Sequence, residues 1–454
     1  MLPWQYWSSS RTIVKMNQKW AKQMQTDRNV TIIGAGVVGC SIALALARRG
    51  FRTLNLDTLP AAGYGSTSHS SAIVRPIYSH ITSCAIAHQA RRHWLNWADF
   101  LQVEDERGMA RYTECGGLVL IKQGEESRYD ANLTAMQAVG VPYELLSAGD
   151  IKTLYPGISL ASYGPPVPAS HDSFCSPSKG EISSGILVPQ AGYVSDPQLA
   201  THNLQVAAQK HGAEFIFNAR VAAFNISHSE KHRIELDDGR TFFSATVINA
   251  AGPHSSKINQ LAGITNQLKL STRAMRHEVA YIPANARHFE RGGRFLMDMD
   301  AGFYQRPDGK DMLIGSSDPV CDPHDFVDPD NYNLEFTPQW NVQTYRAAQR
   351  FPEMGIPNTA RGTVGLYDVS DDWIPIYDKT SIPGYYLAIG TSGNQFKNAP
   401  LIGEIMAAII NTENEGNDHD KHPACLKLPD VGQNISLDFY SRNRDIQHTS
   451  SVMA

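Results

Sequence analysis

Three glycines at fixed spacing, Gly34, Gly36 and Gly39 in Gly34-Ala35-Gly36-Val37-Val38-Gly39, carry the strongest chemical signal in the chain. In such a segment Gly34 permits a tight turn, Gly36 lets the main chain approach a pyrophosphate, and Gly39 lets a helix pack closely on the strand before it. The N–H groups of the first helical turn, Val38 among them, have no partner inside the helix and face the phosphates. Asp57 follows about 20 residues on, where a carboxylate accepts hydrogen bonds from a ribose and disfavours a 2′-phosphate. The expectation is a dinucleotide site, and the motif alone leaves NAD and FAD open. A second turn, Gly390-Thr391-Ser392-Gly393, separates a strand pattern from a helix pattern. It offers another positive helix start to an anion, with a purely structural strand–helix turn as the alternative.

A turn of the first kind needs a strand before it and a helix behind it. Asn29-Val30-Thr31-Ile32-Ile33 reads as a buried parallel strand. Residues 37–49 are rich in Ala and Leu and read as a helix, with Arg48 and Arg49 at its negative end and Gly50 at the left-handed stop. Residues 52–57 give a second strand, completing the β-turn-α-β opening of a doubly wound fold. Helix patterns follow at 86–102, 129–139, 197–211 and 401–410. Strand patterns fall at 117–121, 214–217, 233–236, 241–243, 246–249 and 385–389. Asp238-Gly239 makes a hairpin turn, and residues 274–316 are strand-rich, with turns at Arg291-Gly292-Gly293 and Pro307-Asp308-Gly309.

Further segments recur in a telling order. Gly65-Ser66-Thr67-Ser68-His69-Ser70-Ser71-Ala72-Ile73-Val74-Arg75 is followed by Gly192-Tyr193-Val194-Ser195-Asp196-Pro197 and Val247-Ile248-Asn249-Ala250-Ala251-Gly252. Then come Gly302-Phe303-Tyr304-Gln305-Arg306-Pro307, Leu313-Ile314-Gly315, Gly365-Leu366-Tyr367-Asp368, Asp372, and Gly390-Thr391-Ser392-Gly393-Asn394-Gln395-Phe396-Lys397. Over residues 30–444 this order resembles the FAD-dependent D-amino-acid oxidase superfamily, in its sarcosine oxidase and dimethylglycine dehydrogenase branch.

The resemblance implies FAD rather than NAD. It assigns cofactor contacts to Gly34, Gly36, Val38, Gly39, Asp57, Ser66, Thr67, Ser68, His69, Ser70, Val221, Ala251, Gly252 and Gly365. Gly390, Ser392, Gly393, Asn394, Gln395, Phe396 and Lys397 then lie near the flavin pyrimidine edge, where fixed donors favour the reduced ring. Arg75 and Lys397 match carboxylate-binding positions of sarcosine oxidases, and Tyr304 matches a tyrosine that faces the substrate. Non-covalent FAD is expected, because Ser68 replaces the tryptophan that precedes a flavin-linked histidine in one branch. A covalent link through His69 is the alternative. Gly365 has no thiol for the other known linkage, and Asn394-Gln395 replaces the commoner His-Gly. Leu313 stands where monomeric sarcosine oxidases hold a lysine, which favours a dehydrogenase passing electrons to a quinone or a protein.

The 454 residues carry 40 Lys and Arg against 45 Asp and Glu, a net charge of −5, with no basic surplus for nucleic acid. No apolar run approaches the roughly 20 residues needed to span a bilayer. Six cysteines lie far apart without a C-x-x-C pair, so thiols in a reducing compartment are expected rather than a disulfide framework or zinc site. No metal constellation is required. Arg276, His277, Glu278 and His80 could also line the pocket, but strand and loop residues of these types are usually surface groups, and they are read as such. Residues 1–27 carry Arg11, Lys15, Lys19, Lys22 and Ser8-Ser9-Ser10. They read as an extended start with Met16 as a second candidate initiator, or as a transit segment. Cytoplasmic localisation is the expectation and mitochondrial the alternative.

The expected fold is α/β. Segments 28–84, 190–265 and 360–445 form a doubly wound FAD-binding domain. Segments 85–189 and 266–359 form a smaller substrate domain with a mixed sheet, and 446–454 a tail. The expected reaction is oxidation of the C–N bond of a small carboxylate-bearing amine, a secondary or N-methyl amino acid, by hydride transfer to flavin. A peroxide-forming oxidase, a non-catalytic flavoprotein subunit and an NAD-dependent dehydrogenase are the rivals.

Overall fold

The computed structural model describes residues 28–226, 231–284 and 293–447. The N-terminal extension, most of the tail and the Arg291-Gly292 part of one expected turn lie outside them. The chain opens with β1 (Arg28–Ile33), α1 (Val37–Arg48) and β2 (Thr53–Leu56). Val30, Thr31 and Ile32 are all fully buried, as a central parallel strand covered on both faces requires. β1 runs parallel to β2 on one side and to β3 (Thr241–Asn249) on the other, with Ile33 level with both Leu56 and Asn249. β8 (Tyr385–Ile389) lies parallel beyond β3. The carboxyl ends of β1, β2, β3 and β8 therefore open along one edge, the position at which doubly wound sheets bind ligands. Among the described residues this sheet has eight strands.

Helix α1 is buried from Val37 to Ala47 because a second helix, α2 (Ala399–Asn414), crosses it. The crossing is close. Gly403 sits against the Ser41 carbonyl, where a Cβ would clash, and its N–H donates to Ser41 Oγ at 3.0 Å. The end of α1 follows the expected pattern, with Gly50 at φ 85° and its N–H on Ala47.

A nine-stranded sheet forms the second layer among the described residues. Its long central strand β4 (Thr272–Pro283) pairs antiparallel with β7 (Gly362–Ser370) from Thr272↔Ser370 to Ala280↔Gly362. On its other side β4 pairs with β6 (Asp311–Ser316), which continues to β5 (Phe303–Asp308). β7 belongs to segment 360–445, yet hydrogen-bonds into this sheet rather than the first.

Several elements differ from the sequence reading. One helix over 86–102 becomes two, Ile81–Leu95 and Trp97–Leu101, broken at Asn96 (φ −116°, ψ 47°). The first begins early because His80 caps it, accepting from Thr82 N–H at 3.2 Å. The two strands at 241–243 and 246–249 are one. The second expected turn tightens around Gly309 (φ 62°), leaving Pro307 inside β5. The reading also missed Ile182–Val188 and the helix Gln339–Arg350, whose Arg350 makes a fully buried ion pair with Asp298 at 2.6 Å.

Candidate active site

A cleft of about 720 Å³ runs between the two sheets, within the ~300–1,000 Å³ range of ligand pockets. At one end lies the glycine turn. Gly34 N–H donates to Leu56 O at 2.8 Å, and Ala250 N–H to Ile33 O at 2.9 Å, tying β1, β2 and β3 together there. Two of the three glycines answer to the protein's own packing. A Cβ on Gly34 (φ 112°) would clash with the Ala250 carbonyl, and one on Gly39 with the Gly34 carbonyl. Gly36 differs. Its φ is −70°, which any residue adopts, and a Cβ there meets nothing closer than Thr67 Oγ1 at 3.4 Å. Gly36 leaves open a space at the cleft wall beside the positive end of α1. Asp57, at the end of β2, accepts from Ala35 N–H at 2.6 Å and Leu59 N–H at 2.8 Å, while burial pushes its carboxyl up.

The expected flavin loop lies along the cleft as a short 3-10 turn, Ser66–His69. Thr67 Oγ1 accepts from Val37 N–H at 3.2 Å, which locks the loop to α1. His69 Nδ1 hydrogen-bonds Thr363 Oγ1 on β7, and burial lowers the imidazole pKa. The next inward-facing position on β7 is Gly365, where a Cβ would sit 2.8 Å from that of His69. A side chain at Gly365 would displace His69.

At the far end stand the two cations. Arg75 follows the short strand Ile73–Val74, and Lys397 lies in the turn after β8; each is 4% exposed. Arg75 donates to Ile77 O at 2.5 Å and Lys397 Nζ to Asn394 O, and both lie over the Tyr78 ring, at 4.9 and 5.6 Å. The main chain of Lys397 is fixed by Trp94, whose indole donates to its carbonyl at 2.7 Å. Burial, then the Arg75 charge, holds the Lys397 ammonium well below its ordinary pKa, and burial lowers Arg75. Among the described residues neither has a carboxylate within ion-pair distance.

Tyr304 on β5 lies over Gly315 of β6, where a side chain would clash with its ring, and its OH pairs with Ser71 Oγ at 2.9 Å. Tyr367 on β7 fills the space left by Gly393 in the same way. His277 on β4 stacks on Tyr367 with centroids 4.6 Å apart, and its Nδ1 is 3.7 Å from Asp318 Oδ1. Tyr367 and Asp318 were given no role by the sequence reading, and His277 was set aside as a surface group although a signal for it was present. Arg276 and Glu278 point to the opposite face and form a buried pair at 2.6 Å, so alternation along β4 turns His277 into the cleft. Arg276, His277 and Glu278 are therefore cleft or core residues rather than the surface groups expected, while His80 is a helix cap.

The cleft gathers Gly34, Gly36, Val38, Asp57, Ser66, Thr67, His69, Ser70, Arg75, Val221, Ala251, Gly252, Tyr304 and Gly365. Ser392, Gly393, Asn394, Gln395, Phe396 and Lys397 line it too. Three expected contacts fall outside its wall. Gly39 is turned against Gly34; Ser68 Oγ donates back to Gly65 O at 2.8 Å; Gly390 N–H donates to Asp368 at 2.6 Å. Leu313 is also behind the wall, 2% exposed in the core with Val279, Phe295 and Met297.

The sequence profile of a family described as FAD dependent oxidoreductase matches residues 29–409. The chain belongs to that family. It is 22% identical over 403 residues to monomeric sarcosine oxidase of Bacillus sp. (strain B-0618), covering 86% of this chain and 93% of that one. The fold matches the crystal structure of L-proline dehydrogenase from P. horikoshii (TM-score 0.70, 20% identity, 92% of this chain and 97% of that). It equally matches glycine oxidase from Geobacillus kaustophilus (TM-score 0.70, 19% identity, 93% and 100%). The protein is an FAD-dependent oxidoreductase of the amino-acid oxidase family. The cleft fits the cofactor. The open space at Gly36 suits a pyrophosphate, and Asn394 Nδ2, buried without a partner, is a donor free for the flavin's polar edge.

Proposed function

We propose that this enzyme oxidises the C–N bond of a small carboxylate-bearing amine, a secondary or N-methyl amino acid of the sarcosine type. The observation that carries the proposal is the pair Arg75 and Lys397: two buried basic groups side by side, with no acidic side chain among the described residues to neutralise them. Buried charges are costly unless paired, and the lowered pKa of Lys397 reflects that cost. A substrate carboxylate supplies the missing charge, with Arg75 offering a planar fork and Lys397 a point charge. Bound FAD supplies the two-electron acceptor beside the substrate carbon. The chain itself holds and orients. Gly36, Val38 and the N-terminal end of α1 would hold the pyrophosphate, the Ser66–Ser70 loop and Gly365 would hold the ring, and the turn from Ser392 to Phe396 would offer donors to its polar groups. Tyr304 shapes the substrate side. Holding substrate and acceptor in one orientation is the protein's main contribution to the rate.

We assign the electrons to a quinone or a protein rather than to oxygen on the sequence resemblance: the position at which monomeric sarcosine oxidases hold a lysine is Leu313 here, and an apolar side chain brings no charge to help oxygen accept electrons. An anaerobic screen of amines and amino acids, read by bleaching of the bound flavin, tests the substrate class. N-methyl and secondary amino acids should bleach it, and their carboxamides should not. Equal bleaching by amines that lack a carboxylate would overturn the proposal.

A further inference from the structure

The cleft has a second charged group that the carboxylate anchor leaves unused. His277 lies directly opposite Gly365 in the β4–β7 register, so its ring shares the face on which Gly365 and Tyr367 meet the cleft. Its Nδ1 points toward Asp318, its side chain is 9% exposed, and its Nε2 is buried with no hydrogen-bond partner. Asp318 is held in a left-handed conformation (φ 53°), with its N–H on Ser316 Oγ at 2.9 Å. The other carboxylates lining the cleft are committed. Asp57 takes two backbone N–H groups, Asp330 takes Lys257 at 2.6 Å, and Asp368 takes Gly390 N–H and Ser255 Oγ. Burial raises the Asp318 carboxyl, and among the described residues His277 is the basic group within ion-pair distance of it, with the charges of His324 and Asp322 farther off and the Tyr304 and Tyr367 phenols nearby. A short path of contacts joins this group to the anchor. Lys397 Nζ donates to Asn394 O, the adjacent Gly393 abuts the Tyr367 ring, and Tyr367 carries His277.

An amino acid reaches the cleft as a zwitterion, and its nitrogen needs a free electron pair before the neighbouring C–H bond can be oxidised. The anchor accounts for the carboxylate and leaves the ammonium proton without a destination. We propose that His277 is the general base of the substrate site and Asp318 its positioning partner: His277 Nε2 accepts the proton shed by the substrate ammonium, and Asp318 stabilises the imidazolium that results. The N–H bond breaks and its electron pair stays on nitrogen. That pair then forms the C=N bond as the carbon's hydrogen leaves with its two electrons to the bound FAD. The groups facing His277 are Asp318 from the loop after β6, Tyr367 from β7 and Tyr304 from β5; burial raises both phenols, so neither competes as an anion at neutral pH. This inference rests on the carboxylate reading above, and the test separates the two.

Two measurements on the FAD-loaded protein decide it. The first is the pH profile of anaerobic flavin reduction by a secondary amino acid at saturation, for wild type, His277→Gln and Asp318→Asn. Asparagine tolerates the left-handed backbone, so Asp318→Asn should fold. General-base catalysis is typically worth about 10²- to 10⁴-fold. His277→Gln should therefore lose about 100-fold in rate at pH 7 and recover as pH approaches the pKa of the amine itself. Asp318→Asn should lose about 10-fold with the same recovery. A loss equal at every pH, or no loss, would overturn the assignment. The second is calorimetric binding of two isosteric probes that cannot be oxidised, trimethylammonioacetate and 3,3-dimethylbutanoate. Wild type should prefer the zwitterion trimethylammonioacetate about 10-fold, and Asp318→Asn should erase the preference while leaving 3,3-dimethylbutanoate unchanged. A preference that survives Asp318→Asn counts against the inference. If Lys397→Ala fails to weaken both probes, it is the carboxylate reading that falls.

Discussion

The two ends of the cleft are built by different means. At the glycine-turn end the main chain shapes the wall, and side chains matter mostly by being absent: Gly34 and Gly39 let three strands and a helix close up, and Gly36 leaves a space. At the substrate end the reverse holds. Arg75, Tyr304, His277, Tyr367 and Lys397 come from five separate stretches and meet because the strand register and the turn after β8 bring them together. A backbone site tolerates drift in everything but a few glycines. A side-chain site can change its substrate by one substitution without disturbing the fold.

The sharpest way to break this contrast lies within the glycine turn. Gly36→Val should fold and yet emerge colourless, because the new side chain clears the protein and occupies the space of the pyrophosphate. Gly34→Val should fail differently. At φ 112° and against the Ala250 carbonyl it has no room, so soluble protein itself should be lost. Circular dichroism and the flavin absorbance of the two purified variants check this. A folded yellow Gly36→Val would show that the pyrophosphate lies elsewhere.

Next in size is the anchor. Removing one partner of a desolvated charge pair costs about 2–5 kcal/mol, roughly 30-fold to several thousand-fold in affinity. Arg75→Ala and Lys397→Ala should weaken the amino acid by that range while FAD remains bound. The pH dependence follows from the lowered pKa of Lys397 in the free enzyme. A bound carboxylate restores that pKa, so binding takes up a proton and affinity falls as pH rises through the free-enzyme value. Titrations in two buffers of different ionisation enthalpy read the uptake directly; a buffer-independent heat would show Lys397 already charged.

The same contrast explains what the sequence disclosed. Gly34-Ala35-Gly36-Val37-Val38-Gly39 and Asp57 were legible because a contiguous local motif encodes the whole turn, and α1 and β8 were legible from composition. Arg75 and Lys397 were reached only through a resemblance, since nothing local distinguishes them from surface cations. His277 was misread because its neighbours Arg276 and Glu278 look like a charged surface run; the pair they form is buried on the opposite face, so strand alternation, confirmed by the β4–β7 register, puts His277 on the cleft side. Leu313 shows the converse. The motif match pairs it with a lysine of the oxidases, whereas the fold buries it behind Val279, Phe295 and Met297, which line the cleft in its place.

That placement sets the next prediction. With no cation contributed by Leu313, air should reoxidise the substrate-reduced enzyme about ten times or more slowly than an artificial quinone does, as stopped-flow absorbance would show. Reoxidation by oxygen as fast as turnover would make the protein an oxidase. Leu313→Lys is a poor test here, since it buries an ammonium in an apolar core at the expense of stability.

The last expected effect is one of stability alone, and it joins the two ends. Asp368 on β7 is buried between Gly390 N–H at 2.6 Å and Ser255 Oγ at 2.9 Å, so it pins the turn that carries Lys397 to the edge where β3 leaves the sheet. Burial outweighs these hydrogen bonds and raises its carboxyl to about 7. An unfolded aspartate titrates near about 3.9, so the native state holds this proton more tightly. Its contribution to stability is therefore full below the unfolded value, declines as pH rises from there, and is lost above the folded value. Asp368→Asn removes the titration and keeps the geometry, because its Oδ1 still accepts from Gly390 and its Nδ2 donates to Ser255 Oγ. The gap between variant and wild type should shift in favour of Asp368→Asn between pH 5 and pH 8, by on the order of 1 kcal/mol per pKa unit traversed. Urea unfolding at both pH values and one fixed FAD concentration measures it, since bound cofactor itself adds stability by mass action. A gap that stays constant with pH would mean that Asp368 is already ionised at pH 5, and that the turn after β8 is held by a charge rather than by a shared proton.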